Sequence, residues 1–226
     1  FTAYTGPIGV FLYVLGCREP LPGRHADYVR ARWRQVLGST MHCVAGDGVG
    51  ILAGAVIGSV LSLNRPLEVA LEYGLGFGFG WTIFQSLFMR SMAAGSYLMA
   101  IKRAFMPELL SMNLVMTGMI LVASLFWAAV GFKPGPLTPT FWFVMSMALL
   151  AGFVVAYPIN WWLVARGLKH GMSTTGDQSP GHDAGKTAMA HSVSAANPTI
   201  SSIKIASMAA LSIIAFGLAY TVLGVI

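Results

Sequence analysis

Six long apolar runs leave this chain few ways to fold. They lie at about 1–17, 37–63, 66–89, 107–132, 140–165 and 200–226. Roughly 20 apolar helical residues span a bilayer core about 30 Å thick, and backbone groups in lipid must find their partners inside the protein. The runs therefore predict an all-α, polytopic integral membrane bundle of about six transmembrane helices, forming one domain over 1–226. Only 10% of the residues are charged and 56% are hydrophobic, against about 25% charged in a typical soluble domain. The polar surface of a water-soluble globule is missing. Two cysteines, Cys17 and Cys43, exclude a disulfide scaffold, and 6 Trp with 13 Phe exclude a disordered chain. The first run is short and begins without Met, which predicts further native sequence upstream.

The net charge of +6 is explained by position along the chain, not by a nucleic-acid-binding face, and no nucleic acid is expected as a partner. Arg18, Arg24, Arg30, Arg32 and Arg34 follow the first run, Arg90, Lys102 and Arg103 the third, and Arg166, Lys169, Lys186 and Lys204 the fifth. Only Arg65 and Lys133 fall in the alternate loops. Basic loops stay in the cytoplasm, so this pattern predicts a bacterial inner-membrane protein with both ends of the given sequence on the outer side. Arg24 to Val36 reads as a short basic helix meeting anionic headgroups. Residues 173–199, rich in Ser, Thr, Gly, Ala and Pro, read as a flexible cytoplasmic linker.

Candidate chemistry begins in the second run. Cys43 and Asp47 stand one helical turn apart on one face, with His42 about 100° round. An ionisable residue near mid-membrane is costly and is by default a functional candidate. Gly46, Gly50, Gly54 and Gly58 recur every fourth residue, a smooth groove for a neighbouring helix or a second copy of the chain. The third run supplies Glu68 and Glu72, then alternating glycines, of which Gly74 and Gly78 are expected to face that groove. Those glycines lie inside an apolar span and not in a strand–loop–helix context, so a phosphate loop is rejected. Met112, Met116 and Met119, at i, i+4 and i+7, form a thioether row suited to a soft cation such as Cu(I), although Met is also an ordinary core filler. His42, Cys43, Asp47, Glu72, Met112, Met116 and Met119 are the candidate metal-binding set, with copper the candidate ion. No catalytic constellation appears: there is no second membrane aspartate, no G-x-S-x-G, no H-E-x-x-H and no Walker motif.

Longer strings carry a resemblance. Gly38 to Asp47, Glu72-Tyr73 through Phe77-Gly78-Phe79-Gly80-Trp81, Pro107 to Asn113, and Tyr157 to Val164 through Lys169-His170-Gly171-Met172 resemble the bacterial membrane family catalogued as domain of unknown function 4396. The resemblance runs from about Tyr4 to Met172 and implies a helical membrane bundle. Some members are labelled copper oxidases or are joined to copper-protein domains, which implies a link to copper. This chain carries no multicopper-oxidase domain, so the oxidase label is not transferred. Two readings follow: binding or translocation of a soft transition-metal ion such as Cu(I), or a non-catalytic structural or accessory subunit of a larger membrane complex.

Overall fold

The structure is a computed structural model that describes residues 1–16, 18, 28, 31–89, 96–132, 134–169 and 202–222. The linker at 173–199 and most of the basic stretch before Ala31 lie outside the described residues. Among those described, the chain is helical throughout, with no strand. Helix α1 spans Thr2–Gly16, α2 Arg32–Val60 and α3 Arg65–Phe79. A π-helical turn, Gly80–Gln85, carries α3 directly into the short α4, Ser86–Met89. Then come α5 Tyr97–Val130, α6 Pro139–Ala165 and α7 Ser202–Val222. Helices α2, α5, α6 and α7 are each long and apolar enough to cross a membrane. The π turn divides the third expected span, and α1 is short and kinked at Gly6-Pro7, where Gly6 takes φ 56°.

One expected boundary moves. Pro107 sits well at a helix N-terminus because its missing amide is not needed there, so the fourth span reads as beginning at 107. In the structure α5 begins ten residues earlier, capped by Ser96, whose side chain accepts from the Met99 amide. Pro107 therefore lies inside the helix, and Lys102 and Arg103 stand on its exposed face, where long basic stems reach toward the membrane surface.

Helices α2 and α3 pack antiparallel along a seam of glycines. A side chain at Gly54 would meet the Glu72 backbone at 2.7 Å, one at Gly58 the Glu68 side chain at 2.9 Å, and one at Gly50 the backbone of Leu75 and Gly76. Contact this close is what binds helices where lipid supplies no hydrophobic drive. The matching glycines are Gly76 on α3 and Gly80 at the start of the π turn, whereas Gly74 and Gly78 face open space. This corrects the expected face: in an alternating glycine run two opposite helix faces are equally smooth, and pattern alone does not choose between them. Gly46 is covered by Phe84, so Gly46, Gly50, Gly54 and Gly58 are all used within the chain and are not left for a second copy. Gly54→Ala is expected to destabilise the protein by about 1–3 kcal/mol, as overpacking of a tight contact does. Thermal unfolding in detergent checks this.

The apolar core lies between α2, α5 and α6, around Val44, Ile51, Met112, Met116, Leu149 and Phe153. Helix α7 docks on α5 through Asn113, whose side-chain amide donates to Ser212 Oγ (3.1 Å) and accepts from Tyr73 Oη (2.8 Å). One buried side chain thus ties α3, α5 and α7 together. Asn113→Ala is expected to cost about 1–2 kcal/mol, the scale of interhelical hydrogen bonds in membranes. The check is a lowered unfolding midpoint that Ser212→Ala reproduces in part.

Candidate metal centre

Three helices and the turn after α6 converge on one buried polar cluster. Cys43 and Asp47 project from the same face of α2, Glu108 and Ser111 from α5, and Asn160 from α6. Lys169 joins them from just beyond α6. There the chain reverses through Gly167 in the left-handed region (φ 67°), with the Leu168 amide donating back to Leu163 O at 2.9 Å. This αL cap favours glycine because other residues meet a Cβ clash there. The reversal returns the Lys169 side chain into the bundle, where it is wholly buried.

The geometry is tight. Cys43 Sγ lies 3.6 Å from Asp47 Oδ2, 3.7 Å from Glu108 Oε2 and 3.0 Å from Ser111 Oγ. Asn160 Nδ2 donates to Ser111 Oγ (2.9 Å) and to Ala156 O (3.0 Å), and its Oδ1 accepts from Lys169 Nζ at 2.7 Å. Lys169 Nζ stands 4.0 Å from Glu108 Oε2. Cys43, Glu108 and Asp47 all face the Lys169 ammonium. Two carboxyl groups therefore face one cation.

The remaining carboxyl oxygens, Asp47 Oδ1 and Glu108 Oε1, are buried, take no donor from the other described residues and face each other. Both lie where a side chain on residue 80 would go. Gly80 opens the π turn, and such turns inside α-helices are frequent at functional sites. Carbonyls of the turn also take side-chain bonds: Ser86 Oγ donates to Trp81 O and Tyr97 Oη to Thr82 O, each at 2.6 Å. The turn is thus braced by its own side chains and by the start of α5.

Of the residues expected to form a site, Cys43 and Asp47 come together, and one ligand atom each from Cys43, Asp47 and Glu108 lie within 4.8 Å of one another. The others stand elsewhere. His42 is half-buried beside Phe84 and lines a cavity of about 310 Å³ with Met41, Ala45 and residues of α1. Glu72 lies two turns from Gly80, about 12 Å along the helix, where its backbone packs on Gly54 and its carboxylate acts on Arg65. Arg65 itself pairs with Glu68 at 3.4 Å and covers the Trp127 ring. Met112, Met116 and Met119 belong to the apolar core. Met112 Cε reaches Gly76, one turn along from Gly80. Glu108, Ser111, Asn160 and Lys169 were not among the expected ligands.

This is a polytopic helical membrane protein with a buried Cys–Asp–Glu cluster between its spans. The chain belongs to the family described as domain of unknown function (DUF4396), whose model matches residues 32–169. The match begins where α2 begins and ends on Lys169, so it contains every residue of the cluster. No curated protein and no solved structure matches the chain.

Proposed function

We propose that this protein binds and passes a transition-metal cation across a bacterial inner membrane, without an enzymatic step, and that Cys43, Asp47 and Glu108 hold the ion in transit. One observation carries the reading: the 3.6 and 3.7 Å separations between the thiol sulfur and the two carboxyl oxygens. Tetrahedral bonds of about 2.3 Å to sulfur and about 2.0–2.2 Å to oxygen place neighbouring ligands about 3.5–3.7 Å apart. An ion at the centre of the triad needs little movement of its ligands. One thiolate with two carboxylates suits a divalent, borderline-soft ion such as Zn²⁺ better than Cu(I), which prefers thiolate and thioether donors. The methionine row that favoured copper lies in the apolar core. The grouping of basic residues near the beginnings of α2 and α5 and the end of α6 supports an orientation with that end in the cytoplasm.

Titration of the detergent-purified protein with Zn²⁺ and, under reducing anaerobic conditions, with Cu(I) tests the reading. One Zn²⁺ per chain, bound more tightly than Cu(I), is the expected result. Equal or tighter Cu(I) binding that survives Cys43→Ser would move the site to the methionine row.

A second reading rests on Lys169. With an internal ammonium 4.0 Å from Glu108 and a thiol within reach of both carboxyl groups, the cluster also has the parts of a polar lock that fixes helix register in an accessory subunit. In that case neither ion binds at the triad.

A further inference from the structure

We propose that Lys169 is a tethered cation: it stands at the Cys43–Asp47–Glu108 cluster while no metal is bound and is expelled from the bundle when a metal ion loads. The inference rests on the metal-binding reading above and adds how the site is regulated. It starts from the way the lysine is held. Its strong contact is with the neutral Asn160 Oδ1, at 2.7 Å, while Glu108 Oε2 stands at 4.0 Å. A direct charge-assisted bond is shorter, about 2.7–2.9 Å. The ammonium therefore balances the carboxyl groups by proximity, while Asp47 Oδ2 and Glu108 Oε2 accept from the Cys43 thiol, whose proton a metal ion would replace.

The lysine's attachment is equally suggestive. Lys169 is borne by the turn that closes α6, not by a helix, and that turn is fixed by a few capping bonds around Gly167. The ligands themselves sit inside long helices packed on both sides. When two cations compete for one buried carboxyl pair, the one on the weaker support moves. An ion centred among Cys43 Sγ, Asp47 Oδ2 and Glu108 Oε2 would face the ammonium at close range in a medium of low dielectric, and the repulsion is strong at that distance. Asn160 Oδ1 would lose its donor as the lysine left, and Asn160 would remain anchored through Ser111 and Ala156. Loading at the centre of the bundle is thereby linked to movement of the chain at the end of α6.

The test labels the full-length native protein in detergent with an amine-acetylating reagent, with and without saturating Zn²⁺, and reads each lysine by mass spectrometry. The exposed Lys102 and Lys204 serve as internal references. The proposal expects Lys169 to be protected without zinc and acetylated about tenfold or more faster with it. In parallel, Lys169→Met is expected to bind Zn²⁺ about tenfold or more tightly than the native protein, since a competing like charge is gone. Zinc bound by the native protein with Lys169 still protected overturns this proposal and leaves the metal site standing. Zinc bound only by Lys169→Met overturns it as well, because the lysine then occludes the site and is not expelled by the ion. No zinc binding by either protein overturns the metal site and this proposal with it.

Discussion

Gly80→Ala is expected to abolish zinc binding and to destabilise the protein by about 3 kcal/mol or more, well beyond the usual effect of one added methyl group. The position a Cβ would take is filled by Asp47 Oδ1 and Glu108 Oε1, both on side chains with no exposure. Neither can retreat without breaking its place beside Cys43. Moving α3 away instead would open the seam that Gly76, one turn along, forms with Ile51 and Met112. The control is Gly74→Ala, six residues earlier on α3 with open space around it. That change is expected to be neutral or stabilising by up to about 1 kcal/mol, because alanine is the better helix former. Unfolding midpoints and zinc titrations of the two variants side by side check the prediction. Equal effects of the two substitutions would show that residue 80 is not a special contact.

Glu108 carries the second large effect. Glu108→Ala removes a proposed ligand and also the carboxyl group at 4.0 Å from Lys169, leaving the buried ammonium with Asn160, Asp47 and the thiol. Breaking a buried pair by deleting one partner costs about 3–5 kcal/mol, enough to lower expression or unfold the protein in detergent. Glu108→Gln separates the two roles. Its shape and one acceptor oxygen remain, so the fold is expected to survive with a loss of about 1–2 kcal/mol, while zinc affinity falls by about 100-fold or more for want of an anionic ligand. Thermal unfolding reads the first quantity and titration the second. A glutamine variant that folds and binds zinc normally would remove Glu108 from the site.

How much of this was legible in the sequence depends on where each residue stands relative to the apolar runs. Asp47 and Cys43 interrupt a long apolar, glycine-rich stretch one turn apart, so their cost and their common face were both visible. Glu108 was hidden by the residue before it. Pro107 reads as the start of a helix, which assigns Glu108 to a membrane surface, whereas the structure continues the helix back to Tyr97. Lys169 was counted with the basic loops, and only the left-handed turn at Gly167, a three-dimensional fact, sends it inward. Asn160 sits among aromatic residues with no period to mark it. The signal that was available is the pairing of Ser111 with Glu108 at i+3, which puts two polar groups on one face of an otherwise apolar helix. The methionine row shows the opposite case. Helical spacing of thioethers is shared by ligands and by core packing, and the structure buries the row in one cluster with Val44, Val115 and Leu149.

The helices themselves were more legible than their roles. Length and hydropathy suffice to mark α2, α5, α6 and α7, because in lipid each span must satisfy its own backbone. The π turn is different. Its sequence, Gly80-Trp81-Thr82-Ile83-Phe84-Gln85, looks like ordinary apolar helix. The extra residue is stabilised by tertiary partners, among them the bond from Trp81 Nε1 to Ile101 O at 2.8 Å.

The most direct test of the central claim is calorimetric titration of the purified native protein with Zn²⁺ beside Cys43→Ser. The serine variant keeps the small polar side chain but removes the sulfur that both carboxyl oxygens approach at 3.6 and 3.7 Å. The account predicts one zinc per native chain and an affinity lower by about 100-fold or more in the variant. Absence of zinc binding in the native protein, or binding that Cys43→Ser leaves unchanged, would contradict it.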